Sequence, residues 1–190
     1  MKKKKSRKPV YFAIFIIALM IFSGFAIVAS NMSERKQFDY NGFEFQSARN
    51  LWATEINDQP LISHFHPSEL EDINTPNLEL LKSPQIYISF DPEIKSEYLD
   101  LSRLKLSDFS FKFLNTYPVN GITQESDDYQ LPVITCQNAT SSTPVVIYQE
   151  NNQSEINLQD HCLYIKVQEE EDFLKMTERI IYTLAGVING

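Results

Sequence analysis

The chain is poor in the residues that most enzyme signatures require. Its 190 residues include five glycines, three histidines, two cysteines and one tryptophan. Beyond residue 30 the glycines are Gly42, Gly121, Gly186 and Gly190, and they do not cluster. A phosphate-cradling loop or a dinucleotide fingerprint needs several glycines close together, so neither is encoded. HExxH and GxSxG are missing as well. Two cysteines are too few for a four-thiolate zinc site, and Cys136 and Cys162 are too far apart for a CxxC redox pair. Basic residues are also scarce after residue 30, where 11 Lys and Arg face 25 Asp and Glu, a net charge of −14. Nucleic-acid phosphates and anionic lipid surfaces both attract Lys and Arg, so no nucleic-acid partner is expected. No cofactor is expected, and no catalytic residue is assigned.

What the chain does have begins at its N-terminus. MKKKKSRKP carries six Lys or Arg and no acid, and Val10 to Ser30 is a run of 21 uncharged, mostly apolar residues. A helix crosses the hydrocarbon core with roughly 20 apolar residues, and a basic flank stays on the cytoplasmic side. The expected organisation is a cytoplasmic basic tail over 1–9, a transmembrane helix over 10–30, a polar stalk over 31–37 and one extracytoplasmic domain over 38–190. A cleaved signal peptide is the rival reading, with Val28-Ala29-Ser30 as an imperfect cleavage site. Its apolar core would be about 7–15 residues, shorter than the run found here. The expected localisation is the cell membrane, single-pass, with the C-terminal domain outside.

An oxidising location changes how the cysteines are read. Outside the cytosol, Cys136 and Cys162 are expected to form one disulfide; two buried thiols acting as small apolar residues are the alternative. Three sequons occur, at Asn31, Asn138 and Asn152. Asn138 and Asn152 are the glycosylation candidates, because Asn152 lies in the polar turn QENNQS and Asn138 in a loop after a strand. Asn31 falls at the membrane surface.

The remaining sequence alternates strands with helices. In FDYNGFEF, Asn41-Gly42 between alternating aromatics signals a hairpin, with Phe38, Tyr40, Phe43 and Phe45 forming its apolar face. A second hairpin is expected from 50–56 and 61–66 around NDQP. HPSELEDI opens a short helix that Ser68 can cap. QIYISF reads as a strand ended by Asp91-Pro92. KSEYLDLSRLKLSDFSFKFLNTY is read as a helix, with Leu101, Leu104, Phe111 and Leu114 as its apolar face. VNGITQ, LPVITC, TPVVIYQE and HCLYIKVQ are strand candidates, and NNQSEINLQD can hold one more. EEEDFLKMTERIIYTLAGVI is an amphipathic helix with acids in its first turn and Phe173, Thr177, Ile180, Leu184 and Val187 on its core face. The fold class expected is α/β or α+β: a mixed sheet, N-terminal β-hairpins and a C-terminal amphipathic helix.

The histidines are the one constellation that bears on chemistry. His64 and His66 alternate, so in a strand both rings would face one side. With a carboxylate or His161 nearby they could hold zinc or copper. A polar strand face is the plainer reading, and no metal site is assigned.

The run PVITCQNATSSTPVVIYQENNQSEINLQDHCLYIKV, followed by ERIIYTLAGVI, resembles uncharacterised single-span archaeal membrane proteins. They share a Cys-x-Asn-Ala segment, a Pro-Val-hydrophobic strand, a polar turn, a second Cys and a terminal helix. The resemblance covers about a third of the chain. It implies an extracytoplasmic domain with paired cysteines and carries no activity. The function expected is a membrane-anchored domain, non-catalytic, that binds or scaffolds another envelope component. The alternative is an envelope enzyme or metal-binding protein using His64, His66 or His161.

Overall fold

The computed structural model describes residues 36–189. The basic tail, the apolar segment and the Asn31 sequon lie outside the described residues. Among the described residues no helix is long and apolar enough to cross a membrane. The fold is α+β, with two sheets and two helices.

The first sheet is an antiparallel meander of β1 (Lys36–Tyr40), β2 (Phe43–Ala48), β3 (Leu51–Ile56) and β4 (Gln59–Ser63), in chain order. Each link has two residues: Asn41-Gly42, Arg49-Asn50 and Asn57-Asp58. All six have positive φ, between 51° and 82°. Positive φ at both central positions is what a type I′ turn demands, and such turns match the twist of the strands they join. Asn and Asp tolerate this region better than other non-glycine residues, so a glycine-poor chain can still turn tightly.

The second sheet has strand order β6-β5-β7-β9-β8. β5 (Gln85–Phe90), β6 (Tyr117–Ile122), β7 (Val145–Glu150) and β9 (Cys162–Val167) are parallel, and the edge strand β8 (Glu155–Gln159) pairs antiparallel with β9. Ile86, Ile88, Phe90, Val146, Tyr148, Leu163, Ile165 and Val167 point to one face and form the main core. The helices α1 (Glu97–Phe113) and α2 (Glu170–Leu184) cover that face.

α2 is enclosed on two sides. Thr177 meets the five-stranded sheet, its hydroxyl 3.0 Å from that of Tyr148. Tyr182 meets the meander, bonding to the Ser63 hydroxyl and donating to the Phe65 carbonyl at 2.9 Å. Phe45 lies against the same tyrosine ring, centroids 5.9 Å apart. A helix between two sheets must be buried nearly all round. From Phe173 to Tyr182 only Lys175 is not buried. α2 ends at Leu184 rather than running to Ile188. Gly186 (φ 74°) closes a Schellman motif in which the Val187 N–H returns to the Tyr182 carbonyl at 2.9 Å.

Among the described residues the other face of the parallel sheet has no helix. Parallel sheets are normally covered on both faces; here the segment from β6 to β7 crosses the uncovered side. LPVITC, expected as a strand, is this cover. It makes a single bridge, Val133 to Ile122, and then turns at Cys136–Asn138. It is held by side-chain contacts instead: Ser89 donates to the Ile134 carbonyl at 2.7 Å, and Ile134 lies over Gly121. A Cβ on Gly121 would sit 2.6 Å from Ile134 Cδ1, so glycine sets how closely the cover approaches.

The Cys136–Cys162 disulfide pins the cover to the start of β9, with Cα atoms 5.5 Å apart. Two elements 26 residues apart in sequence are thereby joined where few backbone bonds hold them. Replacing either cysteine with Ser is expected to lower stability by about 2–4 kcal/mol, read from urea midpoints. Protein made in an oxidising compartment should show no alkylatable thiol under denaturing conditions until reductant is added. Two thiols that label without reductant would contradict the bond.

Candidate functional site

The chain after β4 carries two of the three histidines, and neither lies in a strand. β4 ends at Ser63. His64 and His66 follow in an extended link to a 3-10 turn, Pro67–Glu69. Their rings go to different places, so the shared strand face expected from their alternation does not form.

His64 belongs to a buried polar knot. Glu178 on α2 is 1 % exposed. Its carboxylate accepts the N–H of His64 at 2.9 and 3.0 Å and the N–H of Phe65 at 3.0 Å. His64 Nδ1 lies 3.0 Å from the same carboxylate, and Lys105 Nζ of α1 lies 2.9 Å from it. Lys105 also donates to the Ile62 carbonyl at 2.8 Å. A buried charge must be paired and hydrogen-bonded to be tolerated, and each Glu178 oxygen has more than one partner. Burial pushes the neighbouring Tyr182 hydroxyl well above the ordinary tyrosine range. The knot's partners are all structural groups of the chain, and it ties the end of the meander to both helices.

His66 is enclosed by aromatics. Its ring centroid lies 4.6 Å from Trp52, 5.5 Å from Phe45, 5.7 Å from Tyr40 and 5.9 Å from Phe38, each approach edge-on. Nδ1 accepts the Ser68 N–H at 3.3 Å, and Glu69 accepts the His66 N–H at 2.7 Å. His66, not Ser68, therefore caps the turn, which is confined to Pro67–Glu69. With Nδ1 accepting, the neutral ring carries its proton on Nε2, which is buried without a hydrogen-bond partner among the described residues. Burial holds the His66 pKa below its ordinary value, against the opposing pull of Glu69 and Glu71. Nearby, burial and the bond to Glu71 push the Tyr40 hydroxyl up to about 12.

His161 sits apart, in the two-residue turn between β8 and β9. Among the described residues no three His, Cys, Asp or Glu side chains are grouped to hold a metal. The sequon residues Asn138 and Asn152 are both exposed. The Asn138 side-chain Oδ1 accepts the Thr135 N–H at 2.9 Å, and Asn152 lies in the link between β7 and β8.

The most distinctive surface is on α1. The face expected to be apolar and buried is the outer one: Leu104 is 66 % exposed and Phe111 63 %, while Leu101 and Leu114 are half-buried. The buried face is Leu99, Ser102, Leu106, Phe109 and Ser110. Serines stand where leucines would be looked for, because a small residue lets a helix approach its neighbour closely, and the Ser102 hydroxyl is satisfied by the Tyr98 carbonyl at 2.6 Å. Treating Ser102 and Ser110 as packing residues would have shown this face in the sequence. Glu97, Asp100 and Asp108 are exposed on the same face; helical spacing puts Asp108 between Leu104 and Phe111, where Lys112 pairs with it at 2.8 Å, and Arg103 pairs with Asp100 at 3.1 Å.

Two measurements follow from this geometry. Glu178→Ala strands two backbone N–H groups and the Lys105 ammonium, and is expected to cost about 3–5 kcal/mol; Glu178→Gln keeps an acceptor oxygen and should cost less. Urea denaturation orders the two, and equal small losses would contradict the knot. His66 resists protonation when folded. It therefore contributes stability that is complete above the unfolded value near 6.5 and is lost as pH falls through the depressed folded value. Wild type should lose more stability than His66→Gln between pH 7.5 and pH 5; equal losses would contradict it.

No family model, curated protein or solved structure matches the chain.

Proposed function

We propose that the chain is a membrane-anchored extracytoplasmic domain that binds another envelope component and performs no catalysis of its own. The observation that carries this reading is the exposed Leu104–Phe111 seam of α1. Isolated exposed apolar residues are ordinary. Two large ones on one helix face, each about two-thirds exposed, cost solvation unless a partner covers them.

The charge around the seam defines the partner. Of the acids on this face, Asp100 is paired with Arg103 at 3.1 Å and Asp108 with Lys112 at 2.8 Å, so the helix largely balances its own charge there. The partner is therefore a protein segment with apolar side chains to cover Leu104 and Phe111, bordered by polar groups of either sign. The location reading rests on the basic flank and apolar run of residues 2–30, and the Cys136–Cys162 disulfide supports it, since such bonds persist in oxidising compartments. The exposure of Asn138 and Asn152 is compatible with glycans on both.

Protease added to cells stripped of any wall should digest the domain while leaving the N-terminal tail protected; a protected C-terminus in the membrane fraction would contradict the topology. A photo-crosslinker at Leu104 of the full-length protein should capture one membrane partner, cross-linked through an apolar segment. The double variant Leu104→Asp with Phe111→Asp should retain its fold and lose partner capture in a pull-down with a tag. Unchanged capture by the double variant would remove α1 as the docking face.

A further inference from the structure

The uncovered face of the parallel sheet carries a second site, on the side away from both helices. β5, β6, β7 and β9 are parallel, so their carboxyl ends share one edge of the sheet. The chain leaves β5 through α1 to reach β6 on one side. It then crosses the opposite face to reach β7 on β5's other side. Strand order therefore reverses at β5, and in open parallel sheets ligands bind outside the carboxyl ends at such a reversal.

The crossing segment covers only part of this face. Ile134 and Cys136 sit on Val145, Ile147 and Cys162. Toward the carboxyl ends the cover stops, and a crevice of about 430 Å3 opens between the Thr135–Gln137 turn and the strands. The crevice is shallow and open to solvent. Asp91 from the end of β5, Thr123 from the end of β6, Gln149 of β7 and Tyr164 of β9 form its floor, and Thr135 and Gln137 its wall.

The walls are held in place. Asp91 Oδ1 accepts the Glu93 N–H at 3.0 Å and the Gln124 amide at 3.3 Å. The disulfide fixes the wall to β9, and the Tyr164 hydroxyl lies 2.8 Å from Cys136 Sγ. Asp91 Oδ2, the Thr123 hydroxyl and the amides of Gln137 and Gln149 make no hydrogen bond among the described residues. Asp91, Thr123 and Gln149 are half-buried and Gln137 is exposed; polar groups left unspent are what a polar ligand needs.

The lining selects the ligand class. No Lys or Arg lines the crevice, so nothing there neutralises a phosphate or carboxylate. One carboxylate falls short of the several hard oxygen ligands that a divalent cation takes. Amides and hydroxyls both donate and accept, which matches sugar hydroxyls, themselves both donors and acceptors. We propose that this crevice binds a neutral oligosaccharide.

The test uses the full-length protein in lipid nanodiscs free of glycolipid. Saturation-transfer NMR is recorded with maltotriose, mannotriose and chitotriose, and with inorganic phosphate as a charged control. At least one trisaccharide should show saturable transfer. The Gln137→Ala, Gln149→Ala double variant should bind it about tenfold more weakly, as the loss of two hydrogen bonds requires. The Leu104→Asp, Phe111→Asp variant should bind it normally, which separates this site from the α1 docking face. The proposal is overturned if none of the three trisaccharides binds, if phosphate competes for the crevice, or if the glutamine variants leave affinity unchanged.

Discussion

The carboxylate of Glu178 is the point on which the two halves of this protein are joined. The meander has no backbone hydrogen bond to the five-stranded sheet; the two are separate in strand order. What connects them is α2, and the strongest polar link is one buried carboxylate gathering the N–H groups of His64 and Phe65 and the ammonium of Lys105. Every one of these groups would be costly to bury alone. Together they fix where β4 ends, how the chain turns away from it and how closely α1 approaches. Lys105 also occupies the Ile62 carbonyl, and Pro60 has no N–H to offer. The outer edge of β4 is thus blunted against pairing with another strand.

Arg179, the next residue of α2, performs a similar task on the opposite side. It is 4 % exposed and among the described residues has no carboxylate partner within salt-bridge distance. Instead it donates to the Ile73 carbonyl at 2.7 Å, the Asn189 carbonyl at 3.1 Å and the Thr183 hydroxyl at 3.1 Å. Burial lowers its pKa from the ordinary arginine value. Two adjacent charged residues on a buried helix thus hold the segment after β4, the connector through Ile73 and the end of the chain.

The parallel sheet solves its covering problem asymmetrically. One face has two helices and the core. The other has an irregular segment that makes few backbone bonds, so its position depends on the Gly121–Ile134 contact, the Ser89 hydrogen bond and the disulfide. The irregular cover stops short of the carboxyl end of the sheet, and the crevice lies beyond it. The economy of the cover and the existence of the crevice are one structural fact.

Local signals in the sequence were sufficient for most elements. Asn41-Gly42 marks its hairpin, the Val- and Ile-rich runs at 145–150 and 162–167 mark β7 and β9, and the periodicity from Phe173 marks α2. The pairing of Cys136 with Cys162 follows once an oxidising compartment is inferred. Arg49-Asn50 is harder to see, since the turn needs positive φ and only Asn hints at it. What the tertiary structure alone decided was direction and partnership. Whether Leu104 and Phe111 or Leu99 and Leu106 face inward depends on which side of α1 can come close to α2, and the serines settle it through size rather than hydrophobicity. LPVITC has the composition of a strand but lies across a sheet face, where it can bridge β6 only once. His64 and His66 alternate as a strand would, yet one ring is drawn to Glu178, 114 residues away, and the other into a box of aromatics. Composition and periodicity report the local preferences of the backbone. Burial of a charge or an aromatic ring is set by residues distant in sequence, and only the folded chain brings them together.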